Sequence, residues 1–568
     1  MLSSLAIAAL SSSPSAPAAA PARPHLIHIL ADDVGHNDVG WANERVRTPT
    51  LDALAAQGVK LSHFYTFKEC APSRGSIMTG RYPYHFGYYR NPSDEGAVPL
   101  SFKLLPALLR EKAGYRTAAV GKWHVGFKTE AHTPTMRGFD SWLGYYHWGE
   151  GYFNHEFPPA YKDAPKCRGV DLNNNTGATL RPFGNASAAV DGVYSMDLFV
   201  AEARRVIAAH DAAAAPLYLY LAFQNVHDPY EVPASFVDRV DPLTTDPSRR
   251  NFSAMLTALD DGVASVVDAL KQAGMYENSV ILWNADNGGE LPYDAAKFGA
   301  GGGAGNNWPL KGGKFSLFEG GLRARAFVHS PLLPAGRGGA TFDGLAHTSD
   351  IYPTFAALAG LAPADFANSS GPFPPDGFDL SAALWGDSGG GGGAGPRAEV
   401  LHQPLNSHWN GSCSAGDLAS GFQPSCGAAI TAWPFKLIAG FGGDSRTLPL
   451  PDAGYRTIPS ARARRAMADG LAALAGPPHA RERRLLPPPA GAPCVATPCL
   501  YDLSVDPNEE HDLGALPEHA GTVAALVAKL YAYGKDGPEP APGGDDSTTS
   551  DAECAVVDAT GSWQPWEH

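Results

Sequence analysis

Four short apolar runs constrain the architecture of this chain more than any other feature. HLIHILA (25–31), YRTAAV (115–120), LYLYLAFQ (217–224) and SVILWN (279–284) are nearly continuous hydrophobic segments rich in β-branched or aromatic residues. A strand with apolar side chains on both faces must be covered on both, as in a parallel sheet flanked by helices. Helical stretches separate these runs. Thr48-Pro49 opens one as cap and first-turn proline, LDALAAQ continues it and Gly58 stops it. FKLLPALLREKAG reads as a second helix and FSAMLTALDDGVASVVDALKQAG as a long third. This alternation predicts an α/β fold with a mostly parallel mixed sheet between helices.

The residues after each run predict chemistry. The first ends in Asp32-Asp33, the second in Gly121-Lys122-Trp123-His124, the third in Asn225-Val226-His227-Asp228 and the fourth in Asp286-Asn287. Open α/β sheets bind ligands beyond the carboxyl ends of their strands, so four such endings predict one shared site. Asp32, Asp33, Asp286 and Asn287 offer only oxygen donors, a set that suits calcium or magnesium far better than zinc. His124 and His227 are acid–base candidates because each follows a strand aimed at that site. A net charge of −15 argues against nucleic acid or an anionic membrane as the main partner, since either demands a basic face.

At 568 residues the chain exceeds one compact core, which predicts a large domain and a smaller one. Residues 1–23 read as a signal peptide: a short apolar stretch, then a zone of small residues. Residues 24–395 form the expected catalytic domain. Residues 396–535 read as a smaller α+β domain with an antiparallel sheet, from AEVLHQ, AAITAWPFKLIAG, CLYDLSVDP and the helical TVAALVAKLYAYG. Residues 536–568 read as an acidic, Pro/Gly-rich mobile tail. Glycine tracts at 299–305 and 388–395 read as insertions. No later run of about 20 apolar residues predicts a transmembrane segment. Acceptor triplets at Asn174, Asn185, Asn251, Asn368 and Asn410 fit a secretory route. Of seven cysteines, setting Cys70 aside leaves six, compatible with disulfides. Cys494–Cys499 and Cys413–Cys426 are plausible pairs, which leaves Cys167 and Cys554; the connectivity stays open.

The run CAPSRGSIMTGR (70–81) resembles the signature of the type I sulfatases. The resemblance extends from His25 to about Leu513. Several stretches are similar to the arylsulfatase B branch: MRGFDSWLGYYHWGEGYFNH, NNWPLKGGKFSLFEGGLR, AHTSDIYPTFAALAG, PDGFDL and CLYDLSVDPNEEHDL. It implies an alkaline-phosphatase-like large domain and hydrolysis of sulfate monoesters. Cys70 would be oxidised by a formylglycine-generating enzyme to formylglycine (3-oxoalanine), whose hydrate attacks sulfur. One Ca²⁺ would be held by Asp32, Asp33, Asp286, Asn287 and residue 70. Arg74 would hold the diol, and Lys122 and Lys314 would face the sulfate. His227 with Lys314 would protonate the leaving oxygen, while His124 would deprotonate the second hydroxyl so that sulfate departs. Implied substrates are aryl sulfates and N-acetylgalactosamine 4-sulfate units, in an extracellular or lysosomal setting. The segment NPSDEGAVPLSF departs from the family in lacking cysteines, and the insertion at 299–305 sits beside the expected pocket, so substrate identity does not carry over with the chemistry. Two other readings are a phosphomonoester or phosphonate ester hydrolase of the alkaline phosphatase superfamily and a catalytically silent carbohydrate-binding relative. The oxygen-only donor set disfavours the first, and the complete motif disfavours the second.

Overall fold

The computed structural model describes residues 23–87, 96–158, 167–177, 179–180, 190–292, 303–367, 373–386, 395–405, 427–440, 442–443, 445–447, 494, 497–535 and 551–566. The strands are β1 (His25–Ala31), β2 (Val59–Tyr65), β3 (Arg116–Gly121), β4 (Ser141–Gly144), β5 (Glu156–Phe157), β6 (Gly169–Val170), β7 (Asn173–Thr176), β8 (Leu217–Ala222), β9 (Ser279–Ala285), β10 (Arg323–Ala324), β11 (Ala326–His329) and β12 (Thr341–His347). A ten-stranded mixed sheet has the order β10-β2-β11-β9-β1-β8-β3-β4-β7, with β12 paired to β2. The four apolar runs supply its centre, β9-β1-β8-β3, and these strands are all parallel. Their side chains are buried on both faces, as their composition requires.

Register sets the site. Ala31 is level with Ala285, Leu30 with Ala222, and Gly121 with Ala222, so the four strands finish almost flush. Whatever follows them must emerge along one edge. Helices cover the faces. Pro49–Gln57 and Ser195–Ala209 both pack on the long helix Pro247–Gln272. That helix starts before the predicted Phe252, because Asp246 caps it by accepting from Arg249 N–H at 2.7 Å and Pro247 fills its first turn.

A separate four-stranded antiparallel sheet follows: β13 (Glu399–Gln403), β14 (Gly427–Ala432), β15 (Phe435–Gly440) and β16 (Cys499–Asp502), in that order. Leu526 and Leu530 of the helix Ala520–Gly534 pack on one of its faces, with Leu401, Ile430, Leu437 and Leu500. Lys436 fastens this sheet to the larger unit, lying between Glu319 Oε1 (2.9 Å) and Glu509 Oε1 (2.8 Å) with no solvent exposure.

Two disulfides are formed, Cys494–Cys499 and Cys167–Cys554; Cys413 and Cys426 lie outside the described residues. The expectation of a mobile tail over 536–568 fails for 551–566. These residues carry the helix Asp551–Thr560 and the Cys554 bridge. Trp563 is buried against His147 and Phe157 and donates to the Phe157 carbonyl at 3.0 Å. The buried indole and the Cys554 bridge are what hold this segment against the larger unit. The predicted signal peptide, most of both glycine tracts, residues 536–550, and Asn185, Asn368 and Asn410 lie outside the described residues. Asn174 lies half-exposed on β7, and Asn251 lies in the long helix with its amide donated to the Tyr230 carbonyl at 3.0 Å. Among the described residues no helix is long and apolar enough to cross a membrane.

Candidate active site

Cys70 is the first residue of the helix Cys70–Thr79, all ten residues of which are buried. Ser73 fixes the entry by accepting from Phe67 N–H (2.9 Å) and donating to the Glu69 carbonyl (3.0 Å). Gly80 ends the helix in the left-handed region (φ 70°), with its N–H on the Ser76 carbonyl. A Cβ there would lie 2.9 Å from Tyr352 Cβ, so both conformation and space require glycine. The helix thus presents its N-terminus, an electropositive end, to the sheet edge.

Around Cys70 stand the residues from the strand ends. One ligand atom each of Asp32, Asp33, Cys70 and His227 lie mutually within 4.8 Å, and all four residues are buried. Asp286 lies outside that set of four. Its Oδ2 accepts from Arg74 Nη2 (2.7 Å) and Nε (3.1 Å), and its Oδ1 from Asp33 N–H (3.3 Å). His227, to which the sequence assigns only an acid–base role, takes that place. Asn287 Nδ2 donates both to Asp33 Oδ1 (2.7 Å) and to the Gly288 carbonyl (2.9 Å), which orients the carboxamide and leaves its Oδ1 without a partner among the described residues. Asp32 Oδ1 is likewise buried and unpartnered. Buried polar atoms are rarely left bare, and two bare oxygens beside buried carboxylates fit a hard cation.

The cations come from three elements. Lys122 Nζ meets Asp32 Oδ2 at 2.6 Å, Lys314 Nζ meets Asp33 Oδ2 at 2.8 Å, and Arg74 spans Asp286 and Asp32 (3.4 Å). Three carboxylates face three cations, so these side chains balance one another. Burial pushes Asp32 up, but Lys122 and Arg74 outweigh it and hold the carboxyl below its ordinary value. Burial and the Asp32 charge push Asp286 up. Burial and then Lys122 and Arg74 hold His124 well below its ordinary value, as a neutral imidazole. His227 feels opposed influences: burial and Lys314 disfavour the imidazolium, while Asp33, Asp32 and Asp228 prevail and lift it well above its ordinary value. Lys314 Nζ also lies 3.1 Å from His227 Nε2, an atom that accepts only when bare. The distance fits Lys314 as donor to a bare Nε2, so the geometry favours the charge on Lys314, which the Asp33 carboxylate also meets.

All the residues marked by the sequence as candidates converge here: Asp32, Asp33, Cys70, Arg74, Lys122, His124, His227, Asp286, Asn287 and Lys314. The structure adds others. Asp228 Oδ1 lies 2.8 Å from His227 Nδ1, and the Trp148 ring lies 5.6 Å from that imidazole. Glu290 is buried nearby, and burial, opposed by Lys314, lifts its carboxyl to about 7. Asp228 and Glu290 adjoin recognised motifs and were within reach of the sequence; Trp148 lies in the arylsulfatase B-like stretch 136–155, where nothing singles it out.

The sulfatase family model matches residues 24–361. The chain is 36% identical to mouse (Mus musculus) arylsulfatase J over 450 residues, which cover 78% of this chain and 68% of that protein. It is 31% identical to mouse N-acetylgalactosamine-6-sulfatase over 361 residues, 60% of this chain and 63% of the relative's length. The solved structure of Ps i-CgsB superposes with a TM-score of 0.64 at 25% identity, covering 91% of this chain and 94% of that one. With the strand-end constellation gathered around Cys70 and these relatives alongside, the chain belongs to the sulfatase family of sulfuric ester hydrolases.

Proposed function

We propose that this enzyme cleaves sulfate monoesters of sugars, with Cys70 oxidised to formylglycine by a formylglycine-generating enzyme along the secretory pathway. The observation that carries this reading is the meeting of Cys70 with Asp32, Asp33 and His227 inside one 4.8 Å cluster ringed by Arg74, Lys122 and Lys314. Burial pushes the Cys70 thiol up despite Lys122 and Lys314. A thiol so placed is a poor thiolate, consistent with a residue whose sulfur is not the working atom. Asp32, Asp33, Asp286 and Asn287, with the residue-70 side chain, would hold one Ca²⁺. When bound, the ion supplies two positive charges that turn a balanced pocket into one that attracts an anion.

The chain's own residues do the rest. Lys122 and Lys314 flank the sulfate, and Arg74 orients residue 70 and Asp286. The Lys314–His227 pair carries a proton to the leaving oxygen, with Asp228 holding the far side of the ring. His124, kept neutral, is able to take a proton from residue 70 once the ester has been cleaved. Residues 24–395 serve as the catalytic domain and 396–535 as the smaller one. N-acetylgalactosamine sulfates are the favoured sugars, in line with the name of one relative and the arylsulfatase B-like stretches. The test is turnover of nitrophenyl sulfate together with mass spectrometry of the peptide bearing Cys70. The expected result is a mass matching an aldehyde or its hydrate, and a loss of at least about 10³-fold in kcat for Cys70→Ala with the fold retained. An intact thiol in fully active protein would overturn the reading.

A further inference from the structure

A second concentration of positive charge lies on the same sheet edge, beyond the machinery above. β11 runs antiparallel to β9, and the Arg325 carbonyl just before it accepts from Ala285 N–H at 3.1 Å, one residue short of Asp286. Arg325 Nε donates to the His36 carbonyl at 2.6 Å, and His36 Nδ1 lies 3.3 Å from the Arg323 carbonyl. Arg323 Nε donates to the Ser62 carbonyl at 2.7 Å. The next residue, His63, carries the Trp433 ring at 4.3 Å, and Trp433 is 41% exposed. Asn307 ties this track to the sulfate side. Its Oδ1 accepts from His36 N–H (3.2 Å) and Gly289 N–H (2.9 Å), and the Gly289 carbonyl accepts from Lys314 N–H (3.1 Å).

Among the described residues, Arg325 is the cation on the track that no carboxylate meets. Arg323 pairs with Glu319 at 3.8 Å, and with Lys436 and Glu509 this makes two cations for two carboxylates. At the far end Asp343 accepts from Ser62 Oγ at 2.9 Å, and its negative charge lies beside His63. Arg325 is half-buried, and among the described residues it makes no ion pair. Burial and the adjacent Arg323 pull its guanidinium down to about 9. Holding a partly desolvated guanidinium without a counter-charge is costly, and its planar fork matches a sulfate or carboxylate. An exposed indole at the other end offers a flat apolar face of the kind that stacks on a sugar ring.

We propose that Arg325 and Arg323, with His36, His63 and Trp433 beside them, form an accessory subsite for a second anionic group and a neighbouring ring of a multiply charged oligosaccharide. The inference rests on the sulfate-ester reading of the residue-70 site and deepens it: the preferred substrate carries more than one sulfate or uronate.

The test measures binding apart from turnover. Calorimetry would compare Cys70→Ser protein, with and without Arg325→Gln, against a tetrasaccharide bearing at least three sulfates and a monosulfated counterpart. The expected result is that the preference for the polyanion, as a ratio of Kd values, falls at least about tenfold in Arg325→Gln, the equivalent of one lost charge-assisted contact. A partial fall is expected in Arg325→Lys, which keeps the charge but not the fork. Trp433→Ala, at an exposed position, should weaken both ligands and serves if Arg325→Gln fails to fold. An unchanged preference in both arginine variants would overturn the subsite, as would an unchanged affinity in Trp433→Ala. Failure of unmutated protein to hydrolyse nitrophenyl sulfate would instead sink the sulfate-ester reading and leave the binding ratio as a separate result.

Discussion

At the scale of single residues, the site is governed by charge balance among buried side chains. Asp32, Asp33 and Asp286 are each matched by a cation 2.6–2.8 Å away, and deleting one partner of such a buried pair exposes the other to the full desolvation penalty. His227 is where this balance bears on the proposed chemistry, since Lys314, Asp33 and Asp228 all lie against its ring. For His227→Ala the expected loss in kcat/KM is about 10²–10⁴-fold on alkyl sulfates and much smaller on nitrophenyl sulfate, whose leaving group needs little protonation. Rates across a series of leaving-group pKa values would show it, and equal losses along the series would remove His227 from that role. Seven of the ten candidates were legible because charged or amide side chains directly after an apolar strand have few other reasons to be there, whereas Cys70, Arg74 and Lys314 were legible only through the resemblance of their stretches to the family. Trp148 was not, because an aromatic residue among many aromatics acquires meaning only when the chain brings it against the His227 ring.

Among elements, register rather than propensity places the chemistry. The flush ends of β9, β1, β8 and β3 turn four separate sequence positions into one row. The apolar runs foretold those strands, but their order in the sheet depends on long-range pairing that no local pattern encodes. Helix ends show the same limit. Thr48 reads as the cap of Pro49–Gln57, yet it makes no cap bond; its hydroxyl accepts from Gly40 N–H (2.7 Å) and donates to Asp52 (3.0 Å). The free amides of Thr50 and Leu51 are instead satisfied by Asp260, from the long helix 210 and 209 positions away, at 3.0 and 2.8 Å. This carboxylate therefore caps one helix while belonging to another. Asp260→Ala should cost about 1–3 kcal/mol, since it strips a cap and leaves buried amides unpaired. Urea denaturation would register that loss, and kcat on nitrophenyl sulfate should hold; a stability unchanged by the substitution would show the cap to be dispensable.

The whole molecule is joined by a buried ionic seam and a covalent one. In the first, a single ammonium, Lys436, serves two carboxylates, Glu319 and Glu509. Burial lifts Glu509 to about 7; Lys436 opposes the rise and Glu319 adds to it. Its folded value thus exceeds the ordinary 4.5, so the fold retains a proton that the unfolded chain has released. Stability from this group is fully present below about pH 4.5, declines as pH rises towards about 7, and changes no further above it. Melting temperature followed from pH 4.5 to 8 should fall less steeply in Glu509→Gln than in the unmutated protein. Parallel curves would count against the seam as a source of the slope, since Glu150, also lifted to about 7 by burial, contributes equally to both. The covalent seam joins Cys167 to Cys554 across 387 positions, and it sets an order of events. The earlier thiol must wait for another 387 positions to be synthesised before it can be oxidised. Until then the His147 and Phe157 rings lack the indole that later covers them. An unpaired sulfur and bare aromatic surface therefore travel together as marks of an unfinished product, and both vanish in the same closing step.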